Sequence, residues 1–368
     1  MSLVDETLRH SPLEEDHRAL EAKLGPFGGW LMPIEYEGVL AEHRAVRERV
    51  GLFDLSHLGK VDVIGAPGVE ALQRSLSNDL SKLAVGRAQY HLVLNDLGGV
   101  QEDLIVYRLG EDRWFVVPNA SNTDLVVDML RGSAGADAVS PHPDWCFLGV
   151  QGPSSLETVG TLFPEAVDLP FMGCAQVAFE GTPLVLARSG YTGERGYELF
   201  APGELARTLW DELDEAGAAF GLEPCGLAVR DVLRLEMGYP LYGQDLGPGR
   251  SALEAGLAWA VAFDKGPFRG REALLRQRES GPPSRLRGLV TAGRRHIPRP
   301  HQPVRSGPDM IGEVTSGTYS PTLGAGIALA YLSPAAGFEP GAEVQIDIRD
   351  REAPARVVAL PFVERDPR

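Results

Sequence analysis

The residues in this sequence best suited to chemistry are an acidic pair, Glu102 and Asp103, placed where a turn runs into an apolar strand. The stretch at 90–107 reads Y-H-L-V-L-N-D-L-G-G-V-Q-E-D-L-I-V-Y, and its Asn, Asp and Gly-Gly residues are typical of a hairpin turn because they tolerate positive φ. Successive strand residues point to opposite faces, so only one of the two carboxylates can face the buried side. A carboxylate there is costly unless it is hydrogen-bonded or binds a ligand. The alternative is a solvated hairpin flank.

A glycine-rich turn at 191–198, Y-T-G-E-R-G-Y-E, is the second candidate. Glycines let the backbone approach a flat ligand, and Tyr191 could stack on such a ligand. Glu198 follows Tyr197 in the returning strand and therefore faces the other side of the sheet. A carboxylate can accept a bidentate pair of hydrogen bonds from an N–H/NH2 edge of the kind found on guanine or pterin rings. The alternative is a solvated hairpin tip with a capping acid.

A third cluster occupies 228–245, A-V-R-D-V-L-R-L-E-M-G-Y-P-L-Y-G-Q-D. Arg230 and Arg234 are four residues apart on a predicted helix, so they share a face. Two such arginines can clamp a carboxylate of a ligand, or they can form a structural salt-bridge network with acidic neighbours such as Asp231. Tyr239 follows the helix and either walls a pocket or belongs to the core.

Other kinds of chemistry find no support in the sequence. The eight histidines are scattered without metal-ligand spacing, so no metal site is predicted. No Walker A sequence, G-x-G-x-x-G fingerprint or G-x-S-x-G motif occurs. Ser56, His57, Asn119 and Arg299 are weaker candidates, and we expect His57 to be a packed, hydrogen-bonded residue. The remaining polar clusters favour an enzyme that binds and orients its substrates.

Size and charge narrow the class of protein further. The chain has 368 residues, enough for two or three domains, and a net charge of −16, which argues against non-specific binding to nucleic acid or an anionic membrane. We find no apolar run of transmembrane length and no signal peptide. The three cysteines lack C-x-x-C spacing, and we interpret them as reduced thiols of a cytoplasmic protein.

The elements that must position these clusters begin with a small α+β unit over about 50–140, where hairpins alternate with single helices. Residues 27–36 carry two glycines and a proline among aromatics, and we expect an irregular, packed segment there. The predicted elements are a helix within 37–50, a strand at 60–64, a helix at 68–76, a strand at 113–118 and a helix beginning at Asn122 or Thr123.

A second block opens at 145–150, and a shift in composition at 279–287 marks a boundary. The block contains predicted strands at 184–188 and 197–200 and predicted helices at 203–217 and 226–238. Beyond the boundary, five strand candidates separated by Gly/Pro turns favour an all-β C-terminal domain, a barrel or a sandwich. These candidates are 286–291, 311–316, 326–332, 343–348 and 355–360.

Taken in order, these motifs resemble those of the aminomethyltransferase family, the T-proteins of the glycine cleavage system. The motifs that carry the resemblance are F-G-G-W-L-M-P (27–33), E-H-x-x-V-R (42–47), G-L-F-D-L-S-H-L-G (51–59), Q-Y-x-L-x-L-N-D-x-G-G-V-x-E-D-L-I-V-Y (89–107), V-Q-G-P (150–153), S-G-Y-T-G-E-R-G-Y-E (189–198), G-L-x-x-R-D-x-L-R-L-E-x-G-Y-P-L-Y-G-Q-D (226–245), G-E-V-T-S-G-T-Y-S-P (312–321) and P-F-V (361–363). Each short motif is weak alone, but the series stays in register from about residue 11 to 363.

The resemblance implies an α+β fold: a three-domain cloverleaf around a central folate-binding hole, with an all-β, barrel-like C-terminal domain. The implied domains are a discontinuous α+β folate-binding domain (1–55 plus 141–278), a small α+β domain that carries the acidic hairpin (56–140) and the C-terminal barrel domain (279–368).

The resemblance also implies the reaction and the partners. An aminomethyl group on the lipoyl arm of H-protein would give its methylene to tetrahydrofolate as co-substrate, which yields 5,10-methylenetetrahydrofolate, ammonia and dihydrolipoyl H-protein. By position, Asp103 matches the essential acid of the family. The folate-site matches are Tyr90, Tyr191, Glu198, Arg230 and Tyr239. Glu102 stands where the family usually has a second aspartate, and we expect it to be the outward-facing member of the pair.

Two alternatives share this fold. One is another folate-dependent demethylase, such as the C-terminal part of dimethylglycine or sarcosine dehydrogenases, although these usually carry an N-terminal flavin domain. The other is a non-catalytic folate-binding protein that assists iron–sulfur assembly, but the K-G-C-Y-x-G-Q type of motif of that group is absent here.

Overall fold

The chain is described by a computed structural model that covers residues 7–334, 338–349 and 351–368. Its α-helices are Glu14–Ala19 (α1), Val39–Glu48 (α2), Gly65–Ser75 (α3), Thr123–Ala134 (α4), Ser155–Leu162 (α5), Ala206–Ala218 (α6), Leu227–Glu236 (α7) and Arg271–Ser280 (α8). No helix within these described ranges is both long and apolar enough to cross a membrane.

Three sheets organise the fold. The N-terminal sheet contains Arg9–His10 (β1), Lys23–Phe27 (β2) and Trp30–Glu35 (β3) in the order β1-β3-β2. The strands of the large sheet are Val50–Asp54 (β4), Val61–Ile64 (β5), Arg87–Leu94 (β6), Val100–Arg108 (β7), Arg113–Val117 (β8), Val139–Pro141 (β9), Cys146–Gln151 (β10), Gly173–Phe179 (β11), Thr182–Arg188 (β12), Gly196–Ala201 (β13) and Leu222–Cys225 (β14). Their spatial order is β14-β4-β10-β13-β12-β11-β6-β7-β8-β5-β9.

The C-terminal part is a closed six-stranded barrel in the order β15-β18-β17-β16-β19-β20. Its strands are Arg285–Thr291 (β15), Pro303–Ser306 (β16), Asp309–Ser320 (β17), Ala325–Leu332 (β18), Glu343–Ile348 (β19) and Arg351–Val358 (β20). Five of these were predicted, with somewhat different bounds, and the all-β prediction is confirmed. The sixth, β16, escaped prediction because it has only four residues and begins with proline.

The prediction of an irregular segment at 27–36 is wrong, because six of its residues form strand β3. Pro33 is tolerated inside this strand although proline cannot donate to a sheet ladder. Strand β1 pairs only with Trp30 and Leu31, so no strand on that side requires an N–H group from Pro33. On the other side of the strand, Pro33 pairs with Leu24 of β2, and the register of this pairing is irregular between Lys23 and Leu24.

The large sheet brings the acidic hairpin and the glycine-rich turn to one face. On β7, Leu104 and Val106 pack into a core with α3 and α4, and Tyr107 packs on the opposite side against Phe200 of β13, with 5.6 Å between the ring centroids. Because neighbouring strand residues alternate, Asp103 lies on the same face as Tyr107.

The same alternation applies to β13. Tyr197 and Leu199 enter the core under α5 and α6, so Glu198 points with Phe200 to the face that also carries Asp103. The predicted turn of the acidic hairpin is confirmed: Gly98 has φ of 82°, and the Asn95 Oδ1 atom accepts hydrogen bonds from the amides of Leu97 (3.0 Å) and Gly99 (2.8 Å).

Two buried ionic networks fix helix α7. At its end, the Glu236 carboxylate accepts hydrogen bonds from Arg47 (2.7 Å to Nη2) and from His43 (3.0 Å). Two residues earlier, Arg234 binds Asp231 and Asp245, each at 2.7 Å. The sequence left open whether the two arginines bind a ligand or form a structural salt-bridge network, and Arg234 belongs to such a network.

The division into three domains, 1–55 plus 141–278, 56–140 and 279–368, stays a prediction. The large sheet takes strands from both of the first two parts.

Candidate active site

Asp103 sits on β7 between two hydrogen-bond donors. The Tyr90 hydroxyl, from the neighbouring strand β6, donates to its Oδ2 atom at 2.9 Å, and the side-chain amide of Asn119 donates to its Oδ1 atom at 3.0 Å. Burial raises the pKa of Asp103, and these two donors act against that rise. The result is a carboxylate held in one orientation, with an affinity for protons above that of an ordinary aspartate.

Glu102 is not the outward-facing member of the pair, so that prediction is wrong. Its side chain is buried on the α3/α4 side of the sheet. There the backbone N–H (2.7 Å) and the side-chain amide (2.8 Å) of Asn119 donate to its Oε1 atom, and the side-chain amide of Asn122 donates to Oε2. Burial, and then the charge of Asp103, raise the pKa of Glu102 against these donors. The two acids face opposite sides, as expected, but Glu102 is fully buried and Asp103 is half-buried.

Glu198 presents one of its carboxylate oxygens to the site. Its Oε2 atom accepts hydrogen bonds from the hydroxyls of Tyr107 (3.0 Å) and Ser189. Its Oε1 atom accepts from no donor in the described part of the chain. Burial raises the pKa of Glu198, while the two hydroxyls and the charge of Arg230 lower it. Because Oε2 is already held, Oε1 is the atom able to accept an N–H group from a ligand.

Two tyrosines and an arginine stack beside these carboxylates. The rings of Tyr191 and Tyr239 lie 5.7 Å apart at 23°, and the Arg230 guanidinium lies 4.6 Å from the Tyr191 centroid. The Tyr191 hydroxyl donates to the carbonyl oxygen of Pro240 at 2.5 Å, which fixes the ring. Burial raises the pKa of Tyr191, and the charge of Asp103 is near enough to raise it further. The structure thus brings all six predicted residues into one neighbourhood.

Arg230 differs from Arg234 in having no partner of opposite charge. Among residues 7–334, 338–349 and 351–368, no carboxylate lies within ion-pair distance of Arg230. Burial lowers its pKa, and Tyr191 and Glu198 counteract this. A half-buried guanidinium without an ion pair is available to a ligand that supplies an anion or acceptor atoms.

Tyr191 and Arg230 line a cavity of about 210 Å³, and Asp103, Tyr90, Glu198 and Tyr239 do not. The cavity wall combines apolar side chains of the N-terminal hairpin and helix α7 with a few polar groups. Its other lining residues are Phe27, Ile34, Leu227, Ala228, Asp231, Arg234, Leu241 and Gln244. An apolar wall with few oriented polar groups is typical of a small-molecule site.

Two further aromatic side chains lie near these residues: Trp259, which was not predicted, and His57, which was a weaker candidate. Trp259 is 65% exposed, and its ring stacks on Tyr90 at 5.3 Å and 29°. No sequence signal marks Trp259, which stands between two alanines. His57 is buried and packs edge-on against Phe27 at 5.2 Å. Its Nδ1 atom has no hydrogen-bond partner among the described residues, so the prediction of a hydrogen-bonded His57 is wrong for this atom.

The weaker candidates separate in the structure. Asn119 joins the acidic pair, whereas Arg299 donates to the carbonyl oxygens of Pro298 (3.2 Å) and Gly317 (3.1 Å) in the barrel part. The Ser56 hydroxyl donates to the buried Asp54 (2.5 Å) and has a structural role. In the described ranges, no group of three or more His, Cys, Asp or Glu side chains is arranged to hold a metal ion.

Comparison with known families gives two matches that together span most of the chain. Residues 13–265 match the GCVT N-terminal domain, and residues 285–364 match the glycine cleavage T-protein C-terminal barrel domain. The chain belongs to the glycine cleavage T-protein family. The second match covers the six-stranded barrel, which is therefore a family feature.

Individual relatives agree with this assignment. A curated aminomethyltransferase from Frankia alni is 49% identical over 98% of this chain and 99% of its own length. One from Mycobacterium tuberculosis is 45% identical, with 99% of each chain covered. The crystal structure of glycine cleavage system aminomethyltransferase T from Bartonella henselae superposes with a TM-score of 0.91 at 34% identity, covering 98% of this chain and 99% of that one. The predicted family, fold class and aminomethyltransferase activity are confirmed.

Proposed function

We propose that this protein transfers the methylene carbon of an aminomethyl group on the lipoyl sulfur of H-protein to tetrahydrofolate. The C–S bond and the C–NH3⁺ bond break, and two C–N bonds form to the folate. One of the two hydrogens lost from the folate nitrogens goes as a proton to the thiolate, which becomes the thiol, and the other goes as a proton to the released ammonia, which becomes NH4⁺, so atoms and charge balance. The observation that carries this proposal is that Tyr191 senses the charge of the oriented Asp103 and also contacts Arg230, which has no ion pair in the described chain and whose charge acts on Glu198.

Asp103 is the proposed catalytic residue. Its carboxylate, with the pKa raised by burial, can hold or accept a proton at the reacting folate nitrogen and can stabilise positive charge that develops there. Tyr90 and Asn119 restrict it to one orientation, so that no reorganisation is needed during the reaction. Electrostatic stabilisation and positioning, rather than nucleophilic attack, are the roles that this geometry supports.

The remaining site residues are proposed to hold tetrahydrofolate as co-substrate. Glu198 Oε1 accepts an N–H group from the edge of the pterin, since its other oxygen is already occupied. The stacked pair Tyr191 and Tyr239 offers aromatic surface. Arg230 meets an anionic or carbonyl group of the ligand, because no carboxylate of the described chain neutralises it. These unsatisfied polar groups fit a polar, flat ligand.

The test compares methylenetetrahydrofolate formation by wild type and Asp103→Asn, with tetrahydrofolate and aminomethyl-loaded H-protein. Loss of a positioned acid–base group costs about 10²–10⁴ in rate, so we expect a loss of that size in kcat with the Kd for tetrahydrofolate nearly unchanged. Asp124→Asn is the matched control, because the Asp124 side chain is 86% exposed. Turnover by Asp103→Asn at the wild-type rate would refute the role of this acid.

The same assay separates the alternative functions. A wild-type protein that binds tetrahydrofolate tightly but makes no methylenetetrahydrofolate from H-protein would be a folate-binding protein or a demethylase with a different one-carbon donor. Supplying small methylated donors in place of H-protein distinguishes these two cases.

A further inference from the structure

The segment that follows residue 247 crosses over to the small α+β unit and carries Trp259. Ser251 of this segment forms an isolated β-bridge with Gly99 of the acidic hairpin. Further along, Trp259 reaches β6 and stacks on Tyr90, whose hydroxyl binds Asp103. An aromatic ring that is 65% exposed contributes little packing to hold itself in place, so its position depends on how this segment is fixed.

Lys265, six residues after Trp259, holds the segment to the small unit. Its ammonium donates to the carbonyl oxygens of Gln73 (2.6 Å), Asn78 (2.8 Å) and Leu76. Gln73 and Leu76 lie at the C-terminal end of α3, where carbonyl groups lack partners within the helix and the helix dipole favours a cation. In the described part of the chain, no carboxylate forms an ion pair with Lys265. These three carbonyls, the Phe268 ring at 5.2 Å and the more distant charge of Asp79 surround the ammonium.

Contacts between Trp259 and Lys265 complete the attachment. The Ser77 hydroxyl donates to the carbonyl oxygen of Ala260 at 2.6 Å, and the amide of Ala262 donates to the Ser77 carbonyl at 2.9 Å. The Asn78 side-chain amide donates to the Tyr90 carbonyl at 3.2 Å. Residues 76–78 therefore contact both members of the stacked pair, through the segment of Trp259 and through the backbone of Tyr90.

We propose that Lys265 is a positioning residue that sets the Trp259–Tyr90 wall of the folate site. This inference rests on the proposed function, because it assigns the wall to tetrahydrofolate. Lys265 makes no hydrogen bond or ion pair with Asp103 in the described chain, and Tyr90 is held beside that acid by the pairing of β6 with β7, so the removal of Lys265 shifts the Trp259 ring and leaves Asp103 with the donors Tyr90 and Asn119. Without the ammonium, three carbonyl groups lose their donor and the segment around Trp259 loosens. The affinity for tetrahydrofolate therefore falls, while the rate of the chemical step and the affinity for H-protein stay nearly unchanged.

The experiment uses Lys265→Met, with Lys82→Met as the matched control. Lys82 belongs to the same unit, but its side chain is 77% exposed and only pairs with Asp79 at 3.6 Å. Losing a charged hydrogen-bond donor is expected to raise the KM for tetrahydrofolate about tenfold or more, with kcat and the KM for H-protein within about twofold. Lys82→Met should match wild type. A fall in kcat with an unchanged KM for tetrahydrofolate would overturn the proposal.

A double-mutant cycle tests the link to Trp259 directly. In a Trp259→Ala background, Lys265→Met should add little to the KM for tetrahydrofolate, because the ring that it positions is already gone. Fully additive effects would refute the link. The chain has five tryptophans, so the contribution of Trp259 is the difference in acrylamide quenching from Trp259→Ala; in the folate-free protein this difference should rise in Lys265→Met, and the readout does not depend on the proposed function. Should Lys265→Met fail to fold, Ser77→Ala removes the donor to Ala260 and should show the same pattern.

Discussion

Glu236→Gln is the substitution whose effect on stability can be worked out most directly. The Glu236 carboxylate is fully buried and accepts hydrogen bonds from Arg47, His43 and Ser320, so it ties α2 and the barrel to the end of α7. Arg47 also donates to the carbonyl oxygen of Thr192 at 2.7 Å, next to the predicted site residue Tyr191. Glutamine keeps the shape of the side chain but removes the charge that Arg47 and His43 neutralise.

The magnitude follows from the pKa of Glu236. Burial acts to raise it, but the hydrogen bonds and charges of His43 and Arg47 together lower it from 4.5 to about 2. A carboxyl whose folded-state pKa lies below its unfolded value stabilises the protein above the unfolded pKa, and it loses that contribution as pH falls through the folded one. With 1.36 kcal/mol per pKa unit, the contribution is about 3 kcal/mol at pH 7 and about 1 kcal/mol at pH 3.

Urea unfolding at pH 7 and pH 3 checks this value. Because glutamine resembles the protonated acid, the loss of unfolding free energy in Glu236→Gln should be about 3 kcal/mol at pH 7 and should shrink to about 1 kcal/mol at pH 3. Glu70→Gln is the control: its side chain is 70% exposed, and its pair with Arg74 should contribute less than about 1 kcal/mol. An equal loss at both pH values would refute the electrostatic argument.

Three further predictions concern the candidate site. In Tyr90→Phe the pKa of Asp103 should rise further, because the hydroxyl that lowers it is gone. The acid limb of the pH profile of kcat/KM should then move to higher pH. If the limb does not move, the group that titrates there is not Asp103. Glu198→Gln should raise the Kd for tetrahydrofolate about tenfold in calorimetry, the effect of one charged hydrogen bond, whereas the control Glu223→Gln, at a side chain 41% exposed, should not change it. Arg230→Gln should weaken folate binding by a similar factor without loss of unfolding free energy, since it breaks no ion pair in the described structure; a large loss of stability would indicate a structural role instead.

Local sequence signals predicted the parts of the fold that depend on local physics. Asn95 and Gly98 define the hairpin turn through a side-chain acceptor and a positive φ, and both effects are visible in the sequence. Helix α4 begins where Asn122 and Thr123 indicated a start. The alternation along β13 placed Glu198 opposite Tyr197 without any knowledge of the rest of the chain.

The features that the sequence did not predict depend on contacts between residues far apart in the chain. The environment of Glu102 depends on Asn119 and Asn122, which lie beyond the next strand, so no local pattern could reveal that the acid is enclosed by amides. Trp259 reaches Tyr90 through a segment held by Lys265, and that attachment is made to carbonyl groups, which every sequence contains. Backbone acceptors carry no residue-type signal, and such contacts are seen only in the folded chain.

Asn119 explains how two adjacent acids can be hydrogen-bonded together. Its side-chain amide lies 2.8 Å from Glu102 Oε1 and 3.0 Å from Asp103 Oδ1, so one NH2 group serves both carboxylates. Side chains of neighbouring strand residues point to opposite faces of the sheet, so a donor that serves both must lie beside the strand, between the two faces. Asn119 has this position because it follows β8, the strand that pairs with β7. Glu102 takes the backbone N–H of Asn119 as well, at 2.7 Å, and this fixes the amide that orients Asp103. The buried glutamate thus supports the orientation of the aspartate from the opposite side of the sheet.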